Sequence, residues 1–284
     1  MVYARRMAHR TLEARRQGFR TVSRDGFCWL EANTNAKKSA IIIHGVTGGK
    51  DDMLPLAEEY IALGYSVYCP DLVGHGGSAM IHVTKFDDLG RWFRDLVVAI
   101  GVEPSLIVSN SYSSGVVYSY ISQGFLSKHT HVILGCPTPT VALMSRLLNR
   151  IGQAVPDRIA WYVYNTSPAR KLRVKILYRG SDRQSYDWLV ESERRKYHYI
   201  APNVSPILTN MIIRDNPFKG EQLPDDVQRQ ITVVLGERDN VVTSDARAYL
   251  MRKLPYARFV SAGSAGHILH FEAISSLVRR DNSV

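Results

Sequence analysis

The stretch Leu106-Ile107-Val108-Ser109-Asn110-Ser111-Tyr112-Ser113-Ser114-Gly115 decides how the chain is predicted to fold. Its three branched apolar residues predict a short buried strand, and a helical pattern over residues 116–121 follows within a few residues. A tight turn from a strand into a helix exposes the side chain at its centre and directs the first helix amides to the same point. The hydroxyl of Ser111 has that central place, so Ser111 is the candidate nucleophile.

The residues two before and two after Ser111 test this interpretation, because so tight a turn requires small side chains at both positions. Both are serine, Ser109 and Ser113, where glycine is commoner. Serine adopts strained backbone angles less readily than glycine, so this departure counts against the pattern. A shift of the turn by two or three residues would make Ser113 or Ser114 the exposed hydroxyl instead.

Outward from this stretch, short apolar runs alternate with helix-like segments. The runs lie at residues 40–43, 65–69, 106–108, 132–134, 231–235 and 259–261. Helical spacing covers residues 54–63, 86–100 and 116–121. Such alternation predicts an α/β fold with a mostly parallel, doubly wound sheet. Ahead of it, residues 19–22 and 27–32 predict a hairpin closed by Asp25-Gly26.

The alternation fails between residues 137 and 230, which are rich in Arg, Tyr and Pro. We interpret residues 137–230 as an inserted, mostly helical lid segment over the strand ends. Residues 1–136 and 231–284 then form the core, with a basic N-terminal extension. Some apolar side chains of the insertion could line an acyl pocket or simply pack on the core: Leu147, Leu148, Ile151, Val155, Ile159, Trp161, Tyr162, Val163 and Tyr164.

The net charge of +10 is concentrated in two places. Residues 1–25 hold seven basic and two acidic side chains, and residues 146–229 hold fifteen basic and nine acidic ones. This distribution could attract an anionic partner, such as an acidic carrier protein or an anionic lipid, or be only a solvated surface. No motif of a nucleic-acid-binding module is present, so specific nucleic-acid binding is not expected.

Cysteine content and hydropathy predict a cytoplasmic protein. The three cysteines, Cys28, Cys69 and Cys136, are widely spaced, which favours free thiols in a reducing compartment. No apolar run approaches the roughly 18–20 residues that cross a bilayer, so no transmembrane segment is expected. The Arg-rich start has no apolar core of the kind that a secretory signal needs.

Four loops carry a resemblance to the α/β-hydrolase superfamily, and most of all to its monoacylglycerol lipase, carboxylesterase and thioesterase branch. The loop His44-Gly45-Val46-Thr47-Gly48-Gly49 is similar to the oxyanion loop, and residues 70–78 (PDLVGHGGS) resemble a loop of the lipase branch. Residues 236–242 (GERDNVV) resemble the acid-bearing loop, and residues 263–267 (GSAGH) the histidine loop. These matches occur in the family's order and run from about residue 40 to 275.

The resemblance implies an α/β-hydrolase fold and assigns the catalytic roles. Ser111 would be the nucleophile, His267 the base and Asp239 the acid that orients it. The backbone amides of Val46 and Tyr112 would form the oxyanion hole. The main rivals are His270 for the base and Asp245 for the acid, but Asp245 falls in a helix-like stretch beyond the loop.

The chemistry implied is hydrolysis of a small-molecule acyl ester or thioester through a serine acyl-enzyme, without a cofactor or a metal. An imidazole must take the proton of the weakly nucleophilic hydroxyl, and a carboxylate must stabilise that imidazole. Dehalogenases and epoxide hydrolases of the superfamily are disfavoured, because they have Asp where Ser111 stands. Two alternatives remain open: an acyltransferase with the same triad, and a non-catalytic interaction protein on the hydrolase fold.

Overall fold

The computed structural model describes residues 12–140 and 154–278. These residues contain the strands β1 (Arg20–Arg24), β2 (Phe27–Ala32), β3 (Lys38–Ile43), β4 (Tyr65–Pro70), β5 (Leu106–Asn110), β6 (His131–Gly135), β7 (Ile231–Leu235) and β8 (Arg258–Ser261). The strands form one sheet in the order β1-β2-β4-β3-β5-β6-β7-β8. Every pair from β4 across to β8 is parallel, and only β1–β2 and β2–β4 are antiparallel. The predicted mostly parallel α/β fold is confirmed.

The helices connect these strands as the alternation predicts. They are α1 (Leu12–Arg16), α2 (Leu54–Ala62), α3 (Phe86–Ile100), α4 (Tyr112–Ser122), α5 (Asp157–Tyr164), α6 (Ser167–Leu177), α7 (Arg183–Tyr199), α8 (Val204–Arg214), α9 (Asp225–Gln228), α10 (Ser244–Lys253) and α11 (Leu269–Glu272). None of the described helices has both the length and the apolar character needed to cross a membrane.

The first two strands form the predicted hairpin, in which Arg24 is paired with Phe27. Asp25 and Gly26 have φ values of 51° and 80°, the left-handed conformation of the two central residues in a hairpin turn. The adjoining part of the basic start packs on the core. Arg15 binds Glu58 at 2.6 Å and is 5% exposed, so this basic side chain is paired within the molecule.

The central strands are buried on both faces, which explains why they are continuous apolar runs in the sequence. All residues of β5 and of β7 are buried. From β3 the chain runs to one side, into β4, and then returns to form β5 on the other side of β3. The carboxyl ends of β3 and β5 thus flank the point where strand order reverses, the usual place of a ligand site in such sheets.

The described part of the region 137–230 contains the helices α5 to α9, as its composition suggests, and residues 141–153 lie outside the described part of the chain. The last stretch of this region lies against the core: the ring of Phe218 packs on that of Tyr118 with centroids 4.4 Å apart. Leu147, Leu148 and Ile151 fall among the undescribed residues. The division into a core and an inserted lid remains a prediction.

Candidate active site

The turn after β5 holds Ser111 in a strained conformation. Its φ of 61° and ψ of −119° lie outside the regions that residues with side chains normally adopt. The N–H of Ser111 donates to the carbonyl of Gly135 on β6, at 2.7 Å, and so fixes the turn to the neighbouring strand. Backbone strain of this kind persists only where surrounding contacts enforce it, and it is concentrated at functional sites.

The serines on either side of Ser111 are not strained. Positive φ values are found at Ser111 but not at Ser109 or Ser113. Both flanking side chains are fully buried and hydrogen-bonded: Ser109 Oγ donates to the carbonyl of Ile133, and Ser113 Oγ to that of Ile43. Serine is therefore compatible with this turn, contrary to the expectation from the sequence, because the turn needs small side chains at these positions but not a left-handed backbone.

The loop after β7 presents Asp239 with both carboxylate oxygens engaged. Oδ1 accepts hydrogen bonds from the N–H groups of Val241 at 2.7 Å and Val242 at 3.1 Å. Oδ2 lies 2.9 Å from Nδ1 of His267. Burial alone would raise the pKa of Asp239, but the contact with His267 and the two amides hold this pKa below its ordinary value. Asp239 is therefore a carboxylate at neutral pH.

The loop after β8 brings His267 between Asp239 and Ser111. Nε2 of His267 lies 2.7 Å from Oγ of Ser111, on the other side of the ring from the carboxylate. The Asn110 side-chain amide donates to the His267 carbonyl at 3.3 Å, and Glu272 accepts from the N–H of Gly266 at 3.0 Å. These two contacts fix the histidine loop to the end of β5 and to α11.

The loop after β3 passes directly beside the nucleophile. A Cβ added to Gly45 would lie 3.4 Å from Cβ of Ser111, so the backbone of this loop lies within van der Waals reach of the turn. The N–H of the next residue, Val46, donates to no acceptor among residues 12–140 and 154–278. Tyr112 is the first residue of α4, so its N–H has no acceptor within the helix. Both backbone amides are thus available beside Ser111.

Two buried residues support that loop. Nδ1 of His44 lies 2.7 Å from the carbonyl of Gly45, while Nε2 accepts the N–H of Leu72 at 3.0 Å. Since Nε2 must be unprotonated to accept, this geometry requires a neutral imidazole, and burial lowers the pKa of His44 to about 3. Asp71 accepts the N–H of Lys50 at 3.0 Å and pairs with its ammonium group, which links the loops after β3 and β4.

The rivals considered from the sequence do not join this chain of contacts. Asp245 is exposed in the first turn of α10. His270 is buried, and its Nδ1 has no hydrogen-bond partner among the described residues. Ser114 Oγ donates to the Gly135 carbonyl at 3.1 Å. The residues that meet in one hydrogen-bonded chain are therefore Ser111, His267 and Asp239.

The site also contains a group of side chains that could be considered for a metal ion. Possible ligand atoms of Cys136, Asp239 and His267 lie within 4.8 Å of one another. Burial, followed by the Asp239 charge, raises the pKa of the Cys136 thiol well above its ordinary value, whereas metal binding needs a thiolate. The carboxylate and the imidazole already bind each other. These side chains suit proton transfer better than metal binding.

Ser111 and His267 open into a cavity of about 400 Å³. Its other side is formed by α6, α7 and α8, with the apolar residues Ile176, Leu177, Leu189 and Ile212. Of the residues that the sequence suggested for an acyl pocket, Tyr164 lines this cavity, whereas Ile159, Tyr162 and Val163 are mostly exposed. The amino-acid composition of the insertion did not show which of its apolar side chains face the cavity and which face the solvent.

Three charged residues of this side escaped the sequence analysis. Arg173 on α6 and Glu193 and Lys196 on α7 line the cavity. Both Glu193 and Lys196 are almost completely buried, at 1% and 4% exposure. The i, i+3 spacing of a glutamate and a lysine was the available signal, but such pairs are common on solvated helix surfaces.

Comparison with known proteins agrees with the fold. The family model described as "Alpha/beta hydrolase family" matches residues 40–278. A thermostable monoacylglycerol lipase from Bacillus sp. (strain H-257) is 37% identical over 67 residues, which are 23% of this chain and 24% of that lipase. The match thus spans about a quarter of that relative's length.

Similar solved structures extend the likeness to almost the whole chain. A putative lipase from Acinetobacter baumannii AYE is 16% identical, with a TM-score of 0.68 over 93% of this chain and 90% of the lipase. A thermophilic esterase from Thermogutta terrifontis is also 16% identical, with a TM-score of 0.64 over 89% of this chain and 92% of the esterase. Together with the family match, these likenesses confirm the resemblance seen in the sequence: the chain belongs to the α/β-hydrolase family.

Proposed function

We propose that this protein is a serine hydrolase that cleaves a small-molecule acyl ester through an acyl-enzyme on Ser111. The observation that carries the proposal is the chain of contacts from Ser111 Oγ to His267 Nε2, at 2.7 Å, and from His267 Nδ1 to Asp239 Oδ2, at 2.9 Å. A nucleophile, a base and an orienting carboxylate in hydrogen-bonding reach are the arrangement that activates a serine hydroxyl.

In the first step, His267 takes the proton of the Ser111 hydroxyl as its oxygen attacks the ester carbonyl. The protonated imidazole is stabilised by the buried Asp239 and then gives the proton to the departing alcohol, which leaves an acyl group on Ser111. In the second step, His267 takes a proton from water as the water oxygen attacks the acyl carbon; the bond from that carbon to Ser111 Oγ then breaks, His267 returns the proton to Oγ, and the acid is released.

Negative charge on the substrate carbonyl oxygen would be stabilised by the backbone amides of Val46 and Tyr112. Both N–H groups lie beside Ser111. That of Val46 donates to no acceptor among the described residues, and that of Tyr112 has no acceptor within its helix. Such donors are worth roughly 3–4 kcal/mol each in related chemistry, because they are aligned before charge develops. The close approach of Gly45 to Ser111 supports this assignment.

In this proposal, residues 137–230 form a lid whose helices provide the substrate pocket. Ile176, Leu177, Leu189 and Ile212 offer an apolar surface to an acyl chain across the cavity from Ser111. Oxygen esters are preferred to thioesters as the substrate class, because the curated relative is named a monoacylglycerol lipase. The free, buried cysteines support a reducing, cytoplasmic location.

The proposal is tested by labelling with a fluorophosphonate probe and by turnover of p-nitrophenyl esters of increasing chain length. Ser111→Ala is expected to abolish both labelling and turnover while the protein remains folded. Ser114→Ala is the matched control, since it removes the same atom three residues away without a contact to His267. Loss of labelling in Ser114→Ala, or its retention in Ser111→Ala, would contradict the assignment.

The same assay separates the two alternatives. Faster release of p-nitrophenol, with an acylated product, on addition of an alcohol or thiol acceptor would indicate an acyltransferase. Absence of labelling in the folded wild-type protein would indicate a non-catalytic interaction protein.

A further inference from the structure

Across the cavity from Ser111, a chain of charged side chains, of which Glu193 and Lys196 are buried and Arg173 is partly buried, runs from the helices to the loop after β3. Arg173 donates to Oε2 of Glu193 at 2.7 Å and 3.0 Å. Oε1 of Glu193 pairs with the ammonium group of Lys196. This ammonium group also donates to Oγ1 of Thr47, at 3.1 Å. Thr47 is adjacent to Val46, the proposed oxyanion donor, so the chain ends beside the reacting centre.

The stability of the fold does not explain these charges. Ions lose their hydration when buried, and hydrophobic residues of similar volume are often as stabilising as a buried ion pair. Burial alone would raise the pKa of Glu193, but Lys196 and Arg173 hold this pKa below its ordinary value. Glu193 is thus a carboxylate, and two cations contact it in the wall of the catalytic cavity. Because burying these charges costs hydration free energy, their presence in the wall of the catalytic cavity points to a ligand that they bind.

The charges in this wall do not cancel. Glu193 neutralises only one of the two cations, Arg173 and Lys196. A further acid, Asp52, also lines the cavity and interacts electrostatically with Lys196, but its carboxylate is paired with Arg195 at 3.5 Å and accepts the N–H of Gly49. The neighbouring histidines add no charge at neutral pH, because burial lowers the pKa of both His44 and His270 to about 3. Within the group of Arg173, Glu193 and Lys196, the positive charges therefore exceed the negative charge by one.

Hydrogen-bonding capacity identifies the group that this wall accepts. Each oxygen of Glu193 already accepts a hydrogen bond from a cation, and Glu193 is 1% exposed, so little of this carboxylate is open to a hydroxyl of the ligand. An ammonium group has three N–H donors, and those of Lys196 that are used within the described residues go to Glu193 and Thr47. One N–H donor of the Lys196 ammonium group therefore remains for a ligand. A carboxylate or phosphate oxygen complements both the free donor and the excess charge.

We propose that Lys196, held by Thr47 and Glu193, forms an anion subsite, and that the natural substrate is an acyl ester with an acidic group a few bonds from the scissile carbonyl. This inference rests on the proposed function and names the substrate class of that site. The acidic group, a carboxylate or a phosphate, is carried either by the acyl chain or by the alcohol.

Paired esters that differ by one acidic group test the subsite. For the acyl side, p-nitrophenyl hydrogen glutarate is compared with p-nitrophenyl pentanoate. For the alcohol side, 1-butyrylglycerol 3-phosphate is compared with 1-butyrylglycerol. In one of the two pairs, wild-type kcat/KM is expected to favour the anionic ester by at least about tenfold, the effect of one charge-assisted contact. Absence of a preference in both pairs would overturn the proposal.

Variants then assign the preference to Lys196. Lys196→Met is expected to bring the ratio of the two kcat/KM values close to one, and Lys196→Arg to retain most of it. Lys175→Met, which removes a charge from the exposed face of α6, is the matched control and should keep the wild-type ratio. If Lys196→Met lowers kcat/KM equally for both esters, Lys196 positions the loop at Thr47 and the proposed subsite is wrong.

A double variant and a binding measurement separate effects on folding and on catalysis from effects on binding. If Lys196→Met does not fold, the double variant Glu193→Leu/Lys196→Met removes the ion pair as a unit, which avoids an unpaired buried carboxylate. Binding of both pairs to Ser111→Ala, measured by equilibrium dialysis, needs no turnover. Tighter binding of the anionic ester supports the subsite even if Ser111 is not the nucleophile, and equal binding contradicts it.

Discussion

The cavity has two unlike walls. The sheet wall consists of the loops after β3, β5, β7 and β8, which carry Val46, Ser111, Asp239 and His267. The helical wall consists of the inward faces of α6, α7 and α8, which carry Arg173, Glu193 and Lys196 among apolar residues. In the sheet wall, backbone amides hold Asp239, which in turn orients His267, whereas in the helical wall Glu193 is held by the side chains of Arg173 and Lys196.

Under the proposed function, this difference is expected to separate residues that act on the chemical step from residues that act on substrate binding. A backbone hydrogen bond, such as that from Val241 to Asp239, depends only on the course of the chain, so the sheet wall keeps its geometry when its surroundings vary. The helical wall depends on the identity of side chains that meet from different helices, as Arg173 and Glu193 do. We therefore expect substitutions in the sheet wall to act on kcat and those in the helical wall to act mainly on KM.

The largest expected effect is that of Asp239→Asn in the sheet wall. The amide keeps the size of the carboxylate but cannot stabilise the imidazolium ion or fix the productive tautomer of His267, so kcat is expected to fall about 10⁴-fold. Ile212→Ala in the helical wall should raise KM several-fold and leave kcat within about threefold, because it removes binding common to substrate and transition state.

Steady-state kinetics with one p-nitrophenyl ester measures both variants. Asp245→Asn is the control for the loss of a carboxylate, since Asp245 lies exposed nearby and has no contact with His267 among the described residues. A fall in kcat for Ile212→Ala as large as that for Asp239→Asn would remove the distinction between the two walls.

The sequence predicted the sheet wall because its signals are local. The turn at Ser111, the acid loop at Asp239 and the histidine loop at His267 each follow a short apolar run, and parallel strands bring their carboxyl ends to one edge of the sheet. The bounds of α3 agree with the pattern over residues 86–100. The order of the motifs then named the family, which residue counts and charge alone could not do.

The helical wall could not be predicted in the same way. Whether Glu193 and Lys196 face the solvent or the cavity depends on how α7 packs against α6 and against the loop at Thr47, and these contacts join residues as much as 149 positions apart. Similarly, a fragment of sequence cannot reveal that the strain of the turn falls on Ser111 alone. Non-local packing decides both matters.

Protonation of His44 should lower the unfolding free energy of the protein at acidic pH. Its folded-state pKa of about 3 lies below the ordinary value of 6.5, so between these values the unfolded chain binds more protons than the native protein. Stability is therefore expected to fall as pH falls below about 6.5. From pH 7 to pH 5 the contribution of this one residue is about 2 kcal/mol.

Urea unfolding at several pH values measures this effect. In His44→Gln, whose side chain stays neutral, the fall in unfolding free energy between pH 7 and pH 5 should be smaller than in the wild type by about that amount. His129→Gln is the control, because His129 is exposed. An unchanged pH dependence in His44→Gln would mean that His44 is not held neutral by its contacts with Gly45 and Leu72.

The smallest expected effect concerns the turn itself, where Ser109 stands in place of the commoner glycine. If serine strained the backbone there, Ser109→Gly would stabilise the protein. Ser109 has no positive φ, however, and its hydroxyl donates to the buried carbonyl of Ile133 at 3.2 Å. Glycine at the end of β5 would lose this bond and add entropy to the unfolded chain, so we expect a loss of about 1 kcal/mol in unfolding free energy.

Ser109→Ala separates the contribution of the hydrogen bond from that of the backbone entropy, since alanine removes the bond but adds little entropy to the unfolded chain. A stability of Ser109→Gly above that of the wild type would show that strain is shared along the turn, and the rigidity of the sheet wall would then depend on more than the hydrogen bonds that surround Ser111.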